Sequence, residues 1–145
     1  MTVVQMEKHH LHAVAEIEKA VFPDPWSEQS LALFCEGRGV GMVAADEAGD
    51  VLAYACMVTV FDEGEIPLVA THPAHRRQGY ADRVLRVLLD EARARGLLKL
   101  SLEVRESNAP AIALYSRLGF EVVGKRNNFY TAPREHALVM VCNLS

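Results

Sequence analysis

The sequence has no long hydrophobic run. The longest, Val51 to Val58, is eight residues, and a helix that crosses a bilayer needs about 20, so a membrane span is not expected. There is no excess of positive charge either. Fifteen Lys and Arg stand against 19 Asp and Glu, for a net charge of −4, which argues against a protein that coats nucleic acid through bulk charge. The N-terminal MTVVQMEKHH lacks a basic start leading into an apolar stretch, so no secretory signal and a cytoplasmic location are expected. The three cysteines, Cys35, Cys56 and Cys142, are odd in number, far apart and in apolar company. They suggest thiols in a reducing compartment, not a disulfide framework or a zinc site. The six histidines show no paired metal-ligand spacing with a carboxylate partner, so no metal is expected. Neither G-x-x-x-x-G-K-[ST] nor G-x-G-x-x-G occurs, which excludes a P-loop and a dinucleotide fingerprint. Repeats, low-complexity tracts and linkers are absent too, and the length fits one domain over residues 1–145.

What is present is an uneven charge and a readable order of elements. Residues 1–75 carry three Lys/Arg against twelve Asp/Glu, whereas residues 76–105 carry eight against four. One positive segment in an acidic chain suits a local anionic ligand better than a long polyanion. For Arg83, Arg86, Arg93 and Arg95 a solvated helix face is the simpler account. Val3, Val4 and Met6 read as a strand. Leu11, Val14, Ile17 and Val21 have helical spacing over His9 to Phe22. Ser27 can cap a second helix through Phe34, closed by Gly37. Strands follow at Val40–Ala45, Val51–Phe61 and Glu65–Thr71. Ala81, Val84, Leu85, Leu88 and Ala92 mark one buried face of a long central helix, with Gly96 at its end. Leu98, Leu100, Leu102 and Val104 alternate with Lys99, Ser101, Glu103 and Arg105 as a one-sided strand. Asn108 and Pro110 open another helix, which stops at Gly119. Phe120 to about Gly124 and Ala137–Cys142 complete the order β-α-α-β-β-β-α-β-α-β-β. The strand–helix–strand crossover makes 65–71 and 98–104 parallel. The expectation is an α/β fold, a mixed sheet with helices on both faces.

The chemistry points to the turn before the central helix. Arg76-Arg77-Gln78-Gly79-Tyr80-Ala81 joins a strand end to a helix start. Gly79 and the small Ala81 allow close approach of a ligand. The free N–H groups through Asp82, with the helix dipole, can receive a pyrophosphate. Ligands in such sheets bind beyond the carboxyl ends of parallel strands, where this turn lies. A plain basic loop with a helix-starting glycine is an equally good account of the spacing alone.

Three motifs stand in series: Pro73-x-x-Arg76-Arg77-Gln78-Gly79-Tyr80-Ala81, then Glu103-Val104-Arg105, then Asn108-x-x-Ala111-x-x-Leu114-Tyr115-x-x-Leu118-Gly119-Phe120. Together they resemble the GNAT family of acetyltransferases, over nearly the whole chain and most strongly from Thr71 to Phe120. Phe22-Pro23-x-Pro25-Trp26-Ser27, the run Leu102 to Ala109, and Arg126-x-Asn128-Phe129-Tyr130 with Arg134-Glu135-x-Ala137 are most similar to the family's ribosomal-protein-alanine (RimI) type. The resemblance implies the GNAT fold with a splayed parallel strand pair. It implies acetyl-CoA as donor and a protein N-terminal α-amine as acceptor, ribosomal for this type. Loop 76–81 would hold the pyrophosphate, and Val69-Ala70-Thr71 the pantetheine and acetyl carbonyl. Glu103, read alone, is a solvated carboxylate; the resemblance makes it the general base that an amine of pKa about 7.7–8.0 needs. Tyr115, read alone, is a core aromatic, two helical turns from Asn108 and on its face; the resemblance makes it the acid for the leaving thiolate. Asn108 contacts CoA or simply caps its helix. Trp26 and Tyr130 are candidates to wall a peptide groove, although Trp26 equally well covers the core. Direct transfer in a ternary complex follows, without a cysteine nucleophile. Phe129 and His136 stand where this type commonly has Tyr and an acid, and Pro67 removes a strand N–H, consistent with an edge or bulge. A small amine as acceptor, or a CoA-binding domain without turnover, are the competing readings. No direct nucleic-acid or membrane partner is expected, and the chain is expected to be a monomer or weak dimer.

Overall fold

The computed structural model describes residues 1–145. Its strands are β1 (Thr2–Gln5), β2 (Gly39–Ala45), β3 (Val51–Val60), β4 (Glu63–Thr71), β5 (Lys99–Arg105), β6 (Phe120–Thr131) and β7 (Arg134–Asn143). Its helices are α1 (Leu11–Val21), α2 (Glu28–Leu31), α3 (Tyr80–Ala94) and α4 (Ala109–Arg117). The strands form one seven-stranded sheet in the order β1-β2-β3-β4-β5-β7-β6. Every neighbouring pair is antiparallel except β4 and β5, the pair joined by the α3 crossover. The expected mixed sheet and order of elements are those observed.

Alternation along the strands feeds two cores, one on each face. Val40, Met42 and Ala44 of β2 join α3 and α4 on one face, with Val84, Leu85, Leu88 and Tyr115. Val43, Tyr54 and Cys56 join α1 and α2 on the other, with Val14, Ile17, Leu31 and Phe34. Helix α3 ends as its sequence suggests. Gly96 takes φ +77; its N–H donates to Arg93 O at 3.0 Å and the Leu97 N–H donates to Ala92 O at 3.1 Å, the paired bonds of a Schellman end.

Several boundaries differ from the sequence reading; β7, for one, begins at Arg134 and not at Ala137. Helix α2 stops at Leu31 and continues as a 3-10 turn, Ala32–Cys35, although Ser27 does cap it by accepting the Ser30 N–H at 3.0 Å. Strand β4 begins at Glu63, because the turn falls on Phe61 and Asp62, with Phe61 at φ +56. Strand β6 runs on past Gly124 to Thr131 as an edge strand exposed along most of its length, which leaves no apolar alternation to read.

One irregularity positions the site. Cys56 of β3 pairs with Leu68, yet Val58 pairs with Glu65, so β4 carries one extra residue between them. Pro67 lies in that bulge, where its missing N–H costs no ladder bond. Side chains change face across it: Ile66 enters the α3-side core, whereas Leu68 and Ala70 enter the α1-side core. A one-residue shift of this kind exchanges the two faces of a strand. Leu88 is fully buried at the centre of the α3 face. We expect Leu88→Ala to lower the unfolding free energy by about 2–5 kcal/mol, the usual cost of a buried leucine cavity, read as a drop in urea midpoint at unchanged slope.

Candidate active site

Beyond the bulge, β4 and β5 part. They pair only at Glu63↔Lys99, Gly64↔Leu100 and Glu65↔Ser101. Past those positions β4 remains paired with β3, and β5 with β7. The segment Val69-Ala70-Thr71 therefore turns a strand edge toward an opening in the middle of the sheet, with Val69 and Thr71 half-buried and Ala70 buried. An extended chain can add to such an edge through its own backbone groups.

The turn into α3 lies at the end of that opening. His72 accepts the Ala74 N–H at its Nδ1 (3.0 Å), which fixes the turn Pro73–His75. Arg77 at φ +65 and Gly79 at φ +79 then swing the backbone into the helix. Gly79 is the N-cap and has no side chain to accept from the first turn. The first intrahelical bond runs from the Arg83 N–H to Gly79 O. The N–H groups of Tyr80, Ala81 and Asp82 thus have no protein acceptor, and the helix dipole adds positive potential there. The Asp82 carboxylate accepts from Arg86 at 2.6 Å, which offsets its own charge. Arg76 and Arg77 are exposed and form no ion pair. Gln78 accepts from the Tyr80 hydroxyl at 3.1 Å. The loop's donors and charges suit a diphosphate.

Glu103 and Tyr115 lie on opposite faces of the sheet near the opening. Leu102 and Val104 point into the α3-side core, so Glu103 points to the α1 side, opposite Val139 in the ladder. Its side chain is 32% exposed, with Arg126 Nε 3.4 Å from one carboxylate oxygen. Tyr115 is 8% exposed in the α3-side core, with its ring 6.0 Å from that of Phe120. Burial, and then the nearby Tyr130, push its phenol up to about 12. Tyr130 itself is raised by burial and then by the charge of Glu103, against a lowering by Arg105. Tyr130 is thus electrostatically linked to both. Asn108 caps α4 by accepting the Ala111 N–H at 3.2 Å, which leaves its amide nitrogen free of protein partners. The three thiols are free, and burial raises each of them, so none is a ready nucleophile at neutral pH.

Trp26 packs its ring 5.2 Å from Phe34 on the α1 face, and no hydrogen bond or ring contact ties it to Glu103 or Tyr130. Its backbone shows a feature that sequence reasoning missed. The Trp26 N–H donates to Glu18 Oε1 at 3.0 Å, and the Tyr54 hydroxyl donates to Glu18 Oε2 at 2.5 Å. Glu18 is 1% exposed, and burial raises its carboxyl pKa against both hydrogen bonds. The signal was in α1: Glu18 stands at +7 from Leu11 and +4 from Val14 on the buried face. Arg105 at the end of β5 and Glu135 near the start of β7 form a second such contact, an ion pair at 3.2 Å, which the motifs that contain them do not reveal.

Comparison with known proteins supplies the relatives. The family described as acetyltransferase (GNAT) matches residues 11–120. The [ribosomal protein bS18]-alanine N-acetyltransferase of Escherichia coli is 37% identical over 99% of this chain and 98% of its own. Its counterpart in Haemophilus ducreyi is 36% identical over the same shares. A crystal structure of the E. coli enzyme superposes with a TM-score of 0.91 over 99% of this chain and 94% of that one. Ard1 of Thermoplasma volcanium, 21% identical, shares the fold at a TM-score of 0.85 over 99% of this chain and 97% of that one.

Glu18 makes a pH prediction. A carboxyl raised above its ordinary value binds its proton more tightly in the folded chain, so stability falls as pH rises from about 4.5 through the raised folded value. Glu18→Gln cannot ionise. Urea unfolding at a series of pH values should show wild type losing stability relative to this variant across that window; parallel curves would refute the assignment.

Proposed function

The chain belongs to the acetyltransferase (GNAT) family, and on that footing we propose that it transfers the acetyl group of acetyl-CoA to the N-terminal alanine of ribosomal protein bS18. The enzyme class follows from the family: an acetyl-CoA-dependent N-acetyltransferase. The bS18 acceptor comes from the names of the E. coli and H. ducreyi relatives. An acceptor of that kind sets the work in the cytoplasm. No helix is long and apolar enough to cross a membrane.

The observation that carries the donor half is the parting of β4 and β5 beside the unpartnered first turn of α3. The N–H groups of Tyr80, Ala81 and Asp82, with Gly79 admitting close approach and Arg76, Arg77 and Gln78 at the rim, hold the pyrophosphate. The edge Val69-Ala70-Thr71 pairs with the pantetheine arm, and its N–H groups receive the negative charge that develops on the acetyl oxygen. The free amide nitrogen of Asn108 is available to the same arm.

Glu103 takes the proton of the attacking amine, directly or through a water. The base is needed because an α-amine has a pKa of about 7.7–8.0 and attacks only when neutral. Tyr115 faces the departing sulfur from the other side of the sheet. A phenol near 12 cannot hand its proton freely to a thiolate whose parent pKa is about 8.5; complete transfer would be uphill by about 5 kcal/mol. Tyr115 therefore works by donating a hydrogen bond that strengthens as charge builds on sulfur. Trp26 and Tyr130 wall the acceptor side. The acidic first half of the chain favours the approach of a cationic peptide terminus.

Incubation with acetyl-CoA and peptides beginning with Ala, Ser, Met or Gly, read by intact mass, should show one acetyl gained, fastest on Ala. Acetylation of free small amines with no peptide product would replace the proposed acceptor. Glu103→Gln should lower kcat by roughly 10²-fold, within the range of general-base contributions, while acetyl-CoA still raises its melting temperature; turnover at the wild-type rate would remove Glu103 from the base role. For wild type, kcat/KM for the peptide should rise with pH through about 8. It should show no descending limb below about pH 10, because Tyr115 keeps its proton there.

A further inference from the structure

We propose that Arg105 is a positioning residue for the acceptor: its guanidinium fixes the β6–β7 turn and the ring of Tyr130, and Glu135 ties that assembly to the start of α4. The inference rests on the reading that Tyr130 walls the acceptor groove.

Arg105 projects from the same side of β5 as Glu103, two residues on. Its Nη1 donates to Pro133 O at 2.9 Å and to Glu135 Oε1 at 3.2 Å, and its Nη2 donates to Ala132 O at 3.2 Å. The guanidinium carbon lies 4.3 Å from the centroid of the Tyr130 ring. Three acceptors and an aromatic face are thus met by one planar group, an arrangement that a lysine cannot reproduce. Glu135 completes the node. While Oε1 accepts from Arg105, Oε2 accepts the Ser107 N–H at 2.6 Å. Ser107 directly precedes Asn108, the cap of the helix that carries Tyr115. These hydrogen bonds lower the Glu135 pKa, and the Arg105 charge adds to the effect.

The need for such a node follows from the shape of the hairpin. Strand β6 is a sheet edge, and between Arg126 and Tyr130 its register with β7 shifts. Tyr130 pairs with Glu135 just past that shift, but its ring belongs to neither buried core, so contacts around the turn set where it points: the Phe129 ring at 5.1 Å and the guanidinium of Arg105. Most exposed ion pairs contribute little. Here, however, Arg105 and Glu135 are only 24% and 19% exposed at their side chains, and two of the bonds are to backbone carbonyls of the turn itself. Through this node the turn on the acceptor side and the first turn of α4 on the donor side share one set of hydrogen bonds.

The test compares Arg105→Met and Arg105→Lys with wild type, as full chains. Steady-state kinetics use acetyl-CoA and an Ala-initiated peptide, and carbon-13 tyrosine NMR follows the Tyr130 titration, assigned with Tyr130→Phe. For Arg105→Met the peptide KM should rise about tenfold, the scale of lost charge-assisted hydrogen bonds. The kcat and the acetyl-CoA KM should stay within about twofold. Tyr130 should titrate at higher pH, since a neighbouring cation is gone. Arg105→Lys should return the Tyr130 titration toward wild type without restoring the peptide KM. An unchanged peptide KM, or a loss of kcat, both KM values and melting temperature together, would overturn the proposal; so would full rescue by lysine. Should Arg105→Met fail to fold, Glu135→Gln, which removes only the counter-charge, should raise the peptide KM about threefold, and no rise would overturn the node. If wild type acetylates no peptide amine, the acceptor reading fails on its own. The Tyr130 titration then still decides the clamp: a shift in Arg105→Met supports it, and none refutes it.

Discussion

Residue parity in β4 governs the rest of this molecule. A regular strand between β3 and β5 would pair on both sides to its end, and the sheet would be closed. The extra residue at Ile66-Pro67 prevents that. It exchanges the faces of Leu68 and Ala70, ends the β4–β5 ladder after Glu65 and Ser101, and leaves the edge at Val69 to Thr71 without a strand beside it. An open edge in the middle of a sheet invites association with other chains. Its persistence here is consistent with a ligand whose own backbone-like amides complete the pairing. The free first turn of α3 stands at the mouth of the same opening, because the crossover that makes β4 and β5 parallel must begin where β4 ends. The candidate anion site and the strand gap are therefore two consequences of one topology.

Charge follows that geometry. The positive segment from Arg76 to Arg105 coincides with the loop, the crossover helix and the strand on the far side of the gap, whereas the acidic first half forms the opposite wall. Several arginines of α3 are paired on the helix surface: Arg86 with Asp82, Arg93 with Asp90, Arg95 with Glu91. Arg76 and Arg77, which the loop holds at the helix entrance, have no carboxylate partner. For Arg86, Arg93 and Arg95 the solvated-face reading thus has a physical basis in an existing counter-charge, whereas Arg83, read the same way, forms no ion pair and differs from the loop arginines only by its place in α3.

How much of this could be read from the chain depended on range. Helix α3 was legible because Ala81, Val84, Leu85, Leu88 and Ala92 lie on one face and Gly96 ends it, all within one segment. The Asn108 cap and the Pro67 irregularity were legible for the same reason: each is a local rule of backbone donors. Strand β6 past Gly124 was not, because Lys125 to Asn128 lie on an edge where neither face needs to be apolar. The Glu18–Tyr54 bond joins residues 36 apart in sequence, and the Arg105 bonds reach 27 to 30 residues. No period or motif encodes such pairs. Only the misfit of a carboxylate on the buried face of α1 hinted at the first.

The placement of Glu103 and Tyr115 on opposite faces bears on the type of transfer. On the proposed reading, one group takes a proton from an amine and the other donates to a sulfur, and these two atoms lie on opposite sides of the same carbonyl carbon. A sheet that parts at that point gives each group access from its own side. An acyl-enzyme route would instead need a nucleophile in the gap. The thiols do not serve: Cys56 and Cys142 are buried, and burial raises both their pKa values, while Cys35 lies beyond α2 and is raised as well. On the proposed reading, with no thiol nucleophile in the gap and a base and a donor on its two sides, the residues present favour a single displacement. The order of proton movements then follows from their chemistry. The amine must lose its proton for attack, whereas Tyr115, held near 12, donates strongly only after charge has collected on sulfur.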